Sequence, residues 1–117
     1  MNQLRGQLIV PGDKSISHRA LICNALADGQ AEITNVSTGA DCASTLSCLR
    51  SLGVRAEISN SSGTKVTIHG SGGVLEKPSV ILDAGNSGTT MRLLSGLIAG
   101  QEFCAKITGD LSLRSRP

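Results

Sequence analysis

Ser15 and Arg19 stand one helical turn apart, with Lys14 just before them, inside Pro-Gly-Asp-Lys-Ser-Ile-Ser-His-Arg at 11–19. A second stretch, Asp-Ala-Gly-Asn-Ser-Gly-Thr-Thr-Met-Arg at 83–92, has the same plan. Each sets glycine and small polar residues at a bend, then an apolar helical run with an arginine one turn in. A helix start of this kind offers unpaired backbone N–H groups and the positive end of the helix dipole. With Lys14, Arg19 and Arg92 added, each start becomes a cradle for phosphate or carboxylate. Ser15 occupies the position expected of an N-cap, and Arg19 follows on the same face. In the second stretch Asn86, Gly88 and Thr89 are small enough to let a ligand lie against the backbone. Arg92 either touches that ligand or braces the loop. Two cradles in one chain predict a substrate, or a substrate pair, with more than one anionic group.

Arg114 and Arg116 form a third basic element after Thr108-Gly109-Asp110, and the planar guanidinium fork suits a carboxylate or phosphate. His18 is expected on the next helix face, in solvent, and His69 at a strand end with a structural role. Asp13, Asp41, Asp83 and Asp110 fall at element ends, where capping and turns account for them. The chain has neither G-x-x-x-x-G-K-[ST] nor G-x-G-x-x-G, so neither nucleotide motif is present. Metal-ligand spacing and a Ser–His–acid set are missing too, and no metal or cofactor is expected. These residues describe a ligand clamp.

Strands and helices must alternate to hold such a clamp. Residues 7–10 read as a short strand ended by Pro11-Gly12. Residues 15–28 read as a helix apolar around most of its circumference, hence buried between other elements, with Gly29 as its stop. A strand at 31–36 leads to a helix at 41–52, where Leu46, Leu49 and Leu52 keep helical spacing. Residues 54–59 and 64–69 alternate apolar and polar around Asn60-Ser61-Ser62-Gly63, which predicts a hairpin. A buried strand at 80–82, a helix at 88–99 and a strand at 102–108 complete the reading. The run Gly12…Arg19-Ala20-Leu21…Ala27-Asp28-Gly29-Gln30 is echoed by Gly85…Arg92-Leu93-Leu94…Ile98-Ala99-Gly100-Gln101. The fold class is therefore α/β (α+β), in repeated βαβαββ units, with one unit and about half of a second present. A chain that stops inside a repeat is expected to be part of a longer array. Pro117, after Arg114-Ser115-Arg116, would sit at the first position of a further helix.

Composition narrows the function classes. The 117 residues are 39% hydrophobic and 17% charged with net charge +2, as in one ordinary globular domain. Phe103 is the single aromatic, so the chain cannot build a stacking platform for single-stranded nucleic acid. Its cations are scattered, which excludes a duplex-binding stripe. No apolar run reaches membrane-span length and the first residues lack signal-peptide order, so no membrane partner is expected. Cys23, Cys42, Cys48 and Cys104 form no C-x-x-C pair and read as reduced structural thiols of a cytoplasmic protein.

The blocks at 11–19 and 82–93, with Thr108-Gly109-Asp110 and Arg114-Ser115-Arg116-Pro117, resemble the 5-enolpyruvylshikimate-3-phosphate synthases in order and spacing. The likeness spans the whole chain. It implies the enolpyruvyl transferase fold and transfer of the enolpyruvyl group of phosphoenolpyruvate to the 5-hydroxyl of shikimate 3-phosphate, without metal or cofactor. It implies that Lys14, Ser15 and Arg19 bind shikimate 3-phosphate. Lys14, Gly88 and Arg116 would bind phosphoenolpyruvate, with Lys14 also counted as catalytic. Asn86, Thr89, Arg92 and Leu93 would neighbour that pocket, which also takes the inhibitor glyphosate. The sister transferase acting on UDP-N-acetylglucosamine shares the fold but carries Asn after the lysine, where this chain has Ser15. Family members are several times longer and have two domains. The resemblance thus makes residues 1–12 a first strand belonging to the other domain, and 13–117 part of a truncated N-terminal substrate-binding domain. The missing C-terminal portion would supply the acid/base groups. A free-standing anion-binding module without chemistry is the alternative that the cradles serve equally well.

Overall fold

The computed structural model describes residues 2–117. Helix α1, Lys14–Leu26, begins where Asp13 turns its carboxylate back to accept from the Ile16 N–H at 2.8 Å. Asp13, not Ser15, is therefore the cap, and Ser15 lies exposed in the first turn. Just ahead of it, Gly12 passes so close to Asn35 that a Cβ there would overlap the Asn35 carbonyl. Asn35 itself sits at φ 54°, a left-handed conformation that asparagine tolerates. This crossing fixes the direction in which α1 sets out.

Strands β1 (Gln30–Ile33), β2 (Arg55–Ile58) and β3 (Val66–His69) form a sheet in the order β1-β3-β2. Both outer strands run antiparallel to β3, with Ala31 and Ala56 each opposite Ile68. The two outer strands are thus parallel to one another. The link between them is helix α2, Ala40–Ser51. The expected hairpin is present as β2–β3, and its turn is held by Asn60, whose Oδ1 accepts from the Lys65 N–H at 3.1 Å.

Beyond the sheet, β4 (Leu82–Asp83) pairs in parallel with β5 (Ile107–Thr108), joined by α3 (Gly88–Ala99), and α4 (Leu111–Arg114) follows. The core is one cluster in which α2 is central. Leu46, Leu49 and Leu52 meet Leu21 and Ala25 of α1, Val66 and Ile68 of β3, Leu82 of β4 and Leu94 of α3. Fully burying a leucine contributes about 1.5–3 kcal/mol, so this contact region binds the two halves into one body.

Several expectations fail for one reason, the lack of a neighbour. Residues 7–10 form no strand: Leu8, Ile9 and Val10 are 86%, 80% and 60% exposed, and no strand lies beside them to share a hydrogen-bond ladder. Of the strand expected at 80–82 only Leu82 is buried and paired, while Val80 and Ile81 face solvent. Of the strand at 102–108 only Ile107 and Thr108 pair, because β4 offers just two rungs. Helix α1 buries one face only. Ile16 and Cys23 on its other side are exposed, since α2, β1 and β3 pack against a single flank. Cys23 and Cys104 are exposed thiols, whereas Cys42 and Cys48 are buried as expected. Helix α4 ends at Arg114, ahead of Arg116 and Pro117.

Candidate anion-binding site

The start of α1 carries Lys14, Ser15 and Arg19, all exposed. Lys14 Nζ forms an ion pair with Asp41, in the first turn of α2, whose side chain is 27% exposed. The Cys42 thiol points to the Lys14 carbonyl at 3.7 Å. The sequence assigned Asp41 only a capping role; in the fold it positions the lysine. Arg19 has no ionic partner among the described residues, which leaves its fork open to an anion.

At the start of α3 the cap is Ser87, whose Oγ accepts from the Thr90 N–H at 3.0 Å. Gly88 is the first helical residue. A Cβ there would lie 2.8 Å from Arg92 Nη1 and 3.4 Å from Arg116 Nη1, so two guanidinium groups converge on bare backbone. Arg116 is held in place through a chain of contacts. Its Nη2 donates to Asn86 Oδ1 at 2.8 Å, and Asn86 Nδ2 donates to both Asp110 oxygens at 3.0 and 2.8 Å. Asp110 in turn caps α4, accepting from the Leu113 N–H at 2.8 Å. That backbone bond, with the Asn86 amide next, keeps the Asp110 carboxyl below its usual range. Gly88, Met91, Arg92, Leu113 and Arg116 line a cleft of about 140 Å³. Asn86 thus serves Arg116, Arg92 braces no carbonyl among the described residues, and Thr89 is half-buried beside them. Arg114 points into solvent from the last turn of α4.

A buried polar chain, unforeseen in the sequence, joins the two helix starts. His18 is 0% exposed, not solvated, and its Nδ1 lies 2.8 Å from Thr45 Oγ1 on α2. Thr45 Oγ1 meets Thr90 Oγ1 at 2.8 Å, and Thr90 Oγ1 approaches Ser87 Oγ at 2.7 Å and the Asp41 carbonyl at 3.2 Å. His18 Nε2 is buried without a partner. Burial pushes the imidazole below its ordinary pKa of 6.5, against the pull of Asp41 and with the help of Lys14. The signal was present in the spacing: His18, Leu21 and Ala25 fall at i, i+3 and i+7 and share the buried stripe. Polarity alone had placed His18 outside.

Asp41 ties both starts together, its carboxylate on Lys14 and its carbonyl on Thr90. The arrangement is that of an α/β scaffold presenting two cationic helix mouths, bridged by the start of α2. Its kinship is specific. The EPSP synthase (3-phosphoshikimate 1-carboxyvinyltransferase) family model matches residues 1–117, and the chain belongs to that family. It is 58% identical over 116 residues to the 3-phosphoshikimate 1-carboxyvinyltransferase of Herpetosiphon aurantiacus, covering 98% of this chain and 26% of that protein. The enzyme of the same name from a Roseiflexus species is 58% identical over 118 residues, covering 99% of this chain and 27% of that one. The EPSP synthase structure from Acinetobacter baumannii superposes with a TM-score of 0.89 at 45% identity, over 96% of this chain and 25% of that one. The chain therefore spans about a quarter of the length of the relatives it matches. Among the described residues no helix is long and apolar enough to cross a membrane. No group of three or more His, Cys, Asp or Glu is placed to hold a metal ion there either.

Proposed function

We propose that this chain is the N-terminal part of an enzyme that transfers the enolpyruvyl group of phosphoenolpyruvate to the 5-hydroxyl of shikimate 3-phosphate, in the cytoplasm. The observation that carries the reading is the placement of Lys14 and Arg116 at two helix mouths joined through Asp41 and Thr90. The phosphate of shikimate 3-phosphate lies on Ser15, Arg19 and the α1 start, and phosphoenolpyruvate lies on Gly88 and Arg116. Lys14 leaves Asp41 to bridge the two, so one ammonium serves both anions. The 5-hydroxyl gives its proton to a base and adds to C2 of phosphoenolpyruvate as C3 takes a proton from an acid. The tetrahedral adduct then expels inorganic phosphate and returns a proton from C3. Fixed cations in a site closed to water stabilise the charge that gathers on phosphate as it leaves. Groups that move the protons belong to the remainder of the enzyme. Glyphosate competes for the Gly88 pocket. In the full-length enzyme residues 1–12 become the first strand of the other domain, a reading supported by the exposed apolar run Leu8, Ile9 and Val10.

The test is a chimera in which this chain replaces the matching quarter of the Herpetosiphon aurantiacus relative. Given both substrates, the chimera should release inorganic phosphate, and the 117-residue chain alone should not. A folded chimera without turnover, or turnover by the chain alone, refutes the reading.

A further inference from the structure

The proposed chemistry uses the two mouths but leaves the buried chain between them unexplained. Three helices contribute to it: His18 from α1, Thr45 from α2, Ser87 and Thr90 from the start of α3. His18, Thr45 and Thr90 are 0% exposed and Ser87 is 1% exposed. Stability alone does not call for such a chain, because apolar side chains of the same shape in place of paired polar groups cost nearly nothing. An orphaned imidazole nitrogen inside the core makes the polar choice worse.

The direction of the hydrogen bonds follows from their last acceptor. Thr90 O–H donates to Ser87 Oγ at 2.7 Å, with the Asp41 carbonyl, which can only accept, as a second and longer acceptor at 3.2 Å. Thr45 O–H then donates to Thr90 Oγ1, and His18 donates from Nδ1–H to Thr45 Oγ1. The Ser87 oxygen also accepts the Thr90 N–H at 3.0 Å. Run the other way, the chain loses the bonds to Ser87 and Asp41 and buries an unpaired Nε2–H. His18 is thus the neutral Nδ1–H tautomer. At each end stands a residue of a mouth. His18 follows Lys14 by one turn, Ser87 caps the helix that begins at Gly88, and the Asp41 in the middle holds Lys14.

We propose that the His18–Thr45–Thr90–Ser87 chain sets the separation of the two anion sites, with Thr45 as the positioning residue that acts through its neighbours on Lys14 and Gly88. None of the four touches ligand through this chain. The bonds hold the start of α3 against the start of α1 at one spacing, and that spacing decides whether two bound anions reach reacting distance. The proposal rests on the anion-site reading above.

Thr45→Val keeps the shape and removes the link, Thr45→Ser restores it, and His18→Asn supplies an amide N–H where Nδ1–H stood. In the ligand-free 117-residue chain, Thr45→Val should move the amide resonances of residues 14–17 and 88–91 together, and Thr45→Ser should return them. In the chimera, Thr45→Val should lower kcat by about ten- to a hundredfold, since small misplacements of reacting groups have that effect. Both KM values should hold within about twofold, because the contacts to each ligand persist. Thr45→Ser and His18→Asn should restore turnover. Resonance changes confined to α2 and its immediate packing, or a folded Thr45→Val chimera with unchanged kcat, overturn the proposal. If the parent chimera is inactive while the valine still moves both mouths, the assigned reaction fails and the spacing device stands.

Discussion

Replacing Gly88 with alanine places one methyl group where two guanidinium groups now meet. Gly88 has no positive φ and opens α3, so alanine fits the backbone and favours the helix by up to about 1 kcal/mol. The methyl would lie 2.8 Å from Arg92 Nη1 and 3.4 Å from Arg116 Nη1. Arg92 must therefore retreat by roughly half an ångström or more to reach ordinary van der Waals distance. The far end of an arginine moves easily, so the fold tolerates the change. On the proposed reading the anion does not, because the methyl covers the backbone it would lie against. Losing one charge-assisted hydrogen bond costs about 1.5–3 kcal/mol, which is about 10- to 150-fold in affinity. In the chimera, KM for phosphoenolpyruvate should rise by that factor, and KM for shikimate 3-phosphate should stay within about twofold. The inhibition constant for glyphosate, longer than the substrate, should rise at least as much as KM for phosphoenolpyruvate. The melting temperature of the isolated chain should hold or increase. Equal effects on both substrates, or an unchanged glyphosate constant, would make Gly88 a turn residue and refute the placement of the second site.

Lys14→Ala should weaken both substrates, each by the about 1.5–3 kcal/mol of a charge-assisted contact; Michaelis constants equal to the parent's would reduce Lys14 to a partner of Asp41. Cys23 and Cys104 should react with a thiol reagent in the folded chain, while Cys42 and Cys48 should react only after denaturation. Burial pushes the Cys48 thiol up to about 11, so its rapid labelling at neutral pH would contradict the packing. Because His18 is held neutral below its ordinary pKa of 6.5, the unfolded chain binds its proton first as pH falls. Stability should be full above that pH and decline below it, and urea midpoints should show His18→Asn flattening the decline; equal slopes in both proteins would disprove this.

Elements bounded by local chemistry were legible in the sequence. Helix α3 begins and ends where the small residues around Ser87 and Gly100 say, and the β2–β3 turn sits on Asn60-Ser61-Ser62-Gly63. The cationic residues at both mouths were legible as well, since a helix start announces itself in a few residues. What stayed hidden depends on distant neighbours. Val80 and Ile81 have strand character but lie past the reach of β5, and residues 7–10 have no ladder to join. The roles of Asp41, Thr45 and His18 come from three helices meeting, and no single segment records that. Of these only His18 left a trace, in its spacing from Leu21 and Ala25.

Because β3 lies between β1 and β2 but follows both in the chain, neither outer strand has anything to pair with until residues 66–69 are made. During synthesis no strand of this sheet can therefore pair before β3 emerges. The sheet can close only once β3 is available, after the helices α1 and α2 have left the ribosome and can form through local contacts. Ala31 and Ala56 gain their shared neighbour Ile68 only then, and the hydrophobic cluster under the sheet gains its cover. The last strand of this sheet to appear is the one that turns two separate helices and two loose strands into a folded half-molecule.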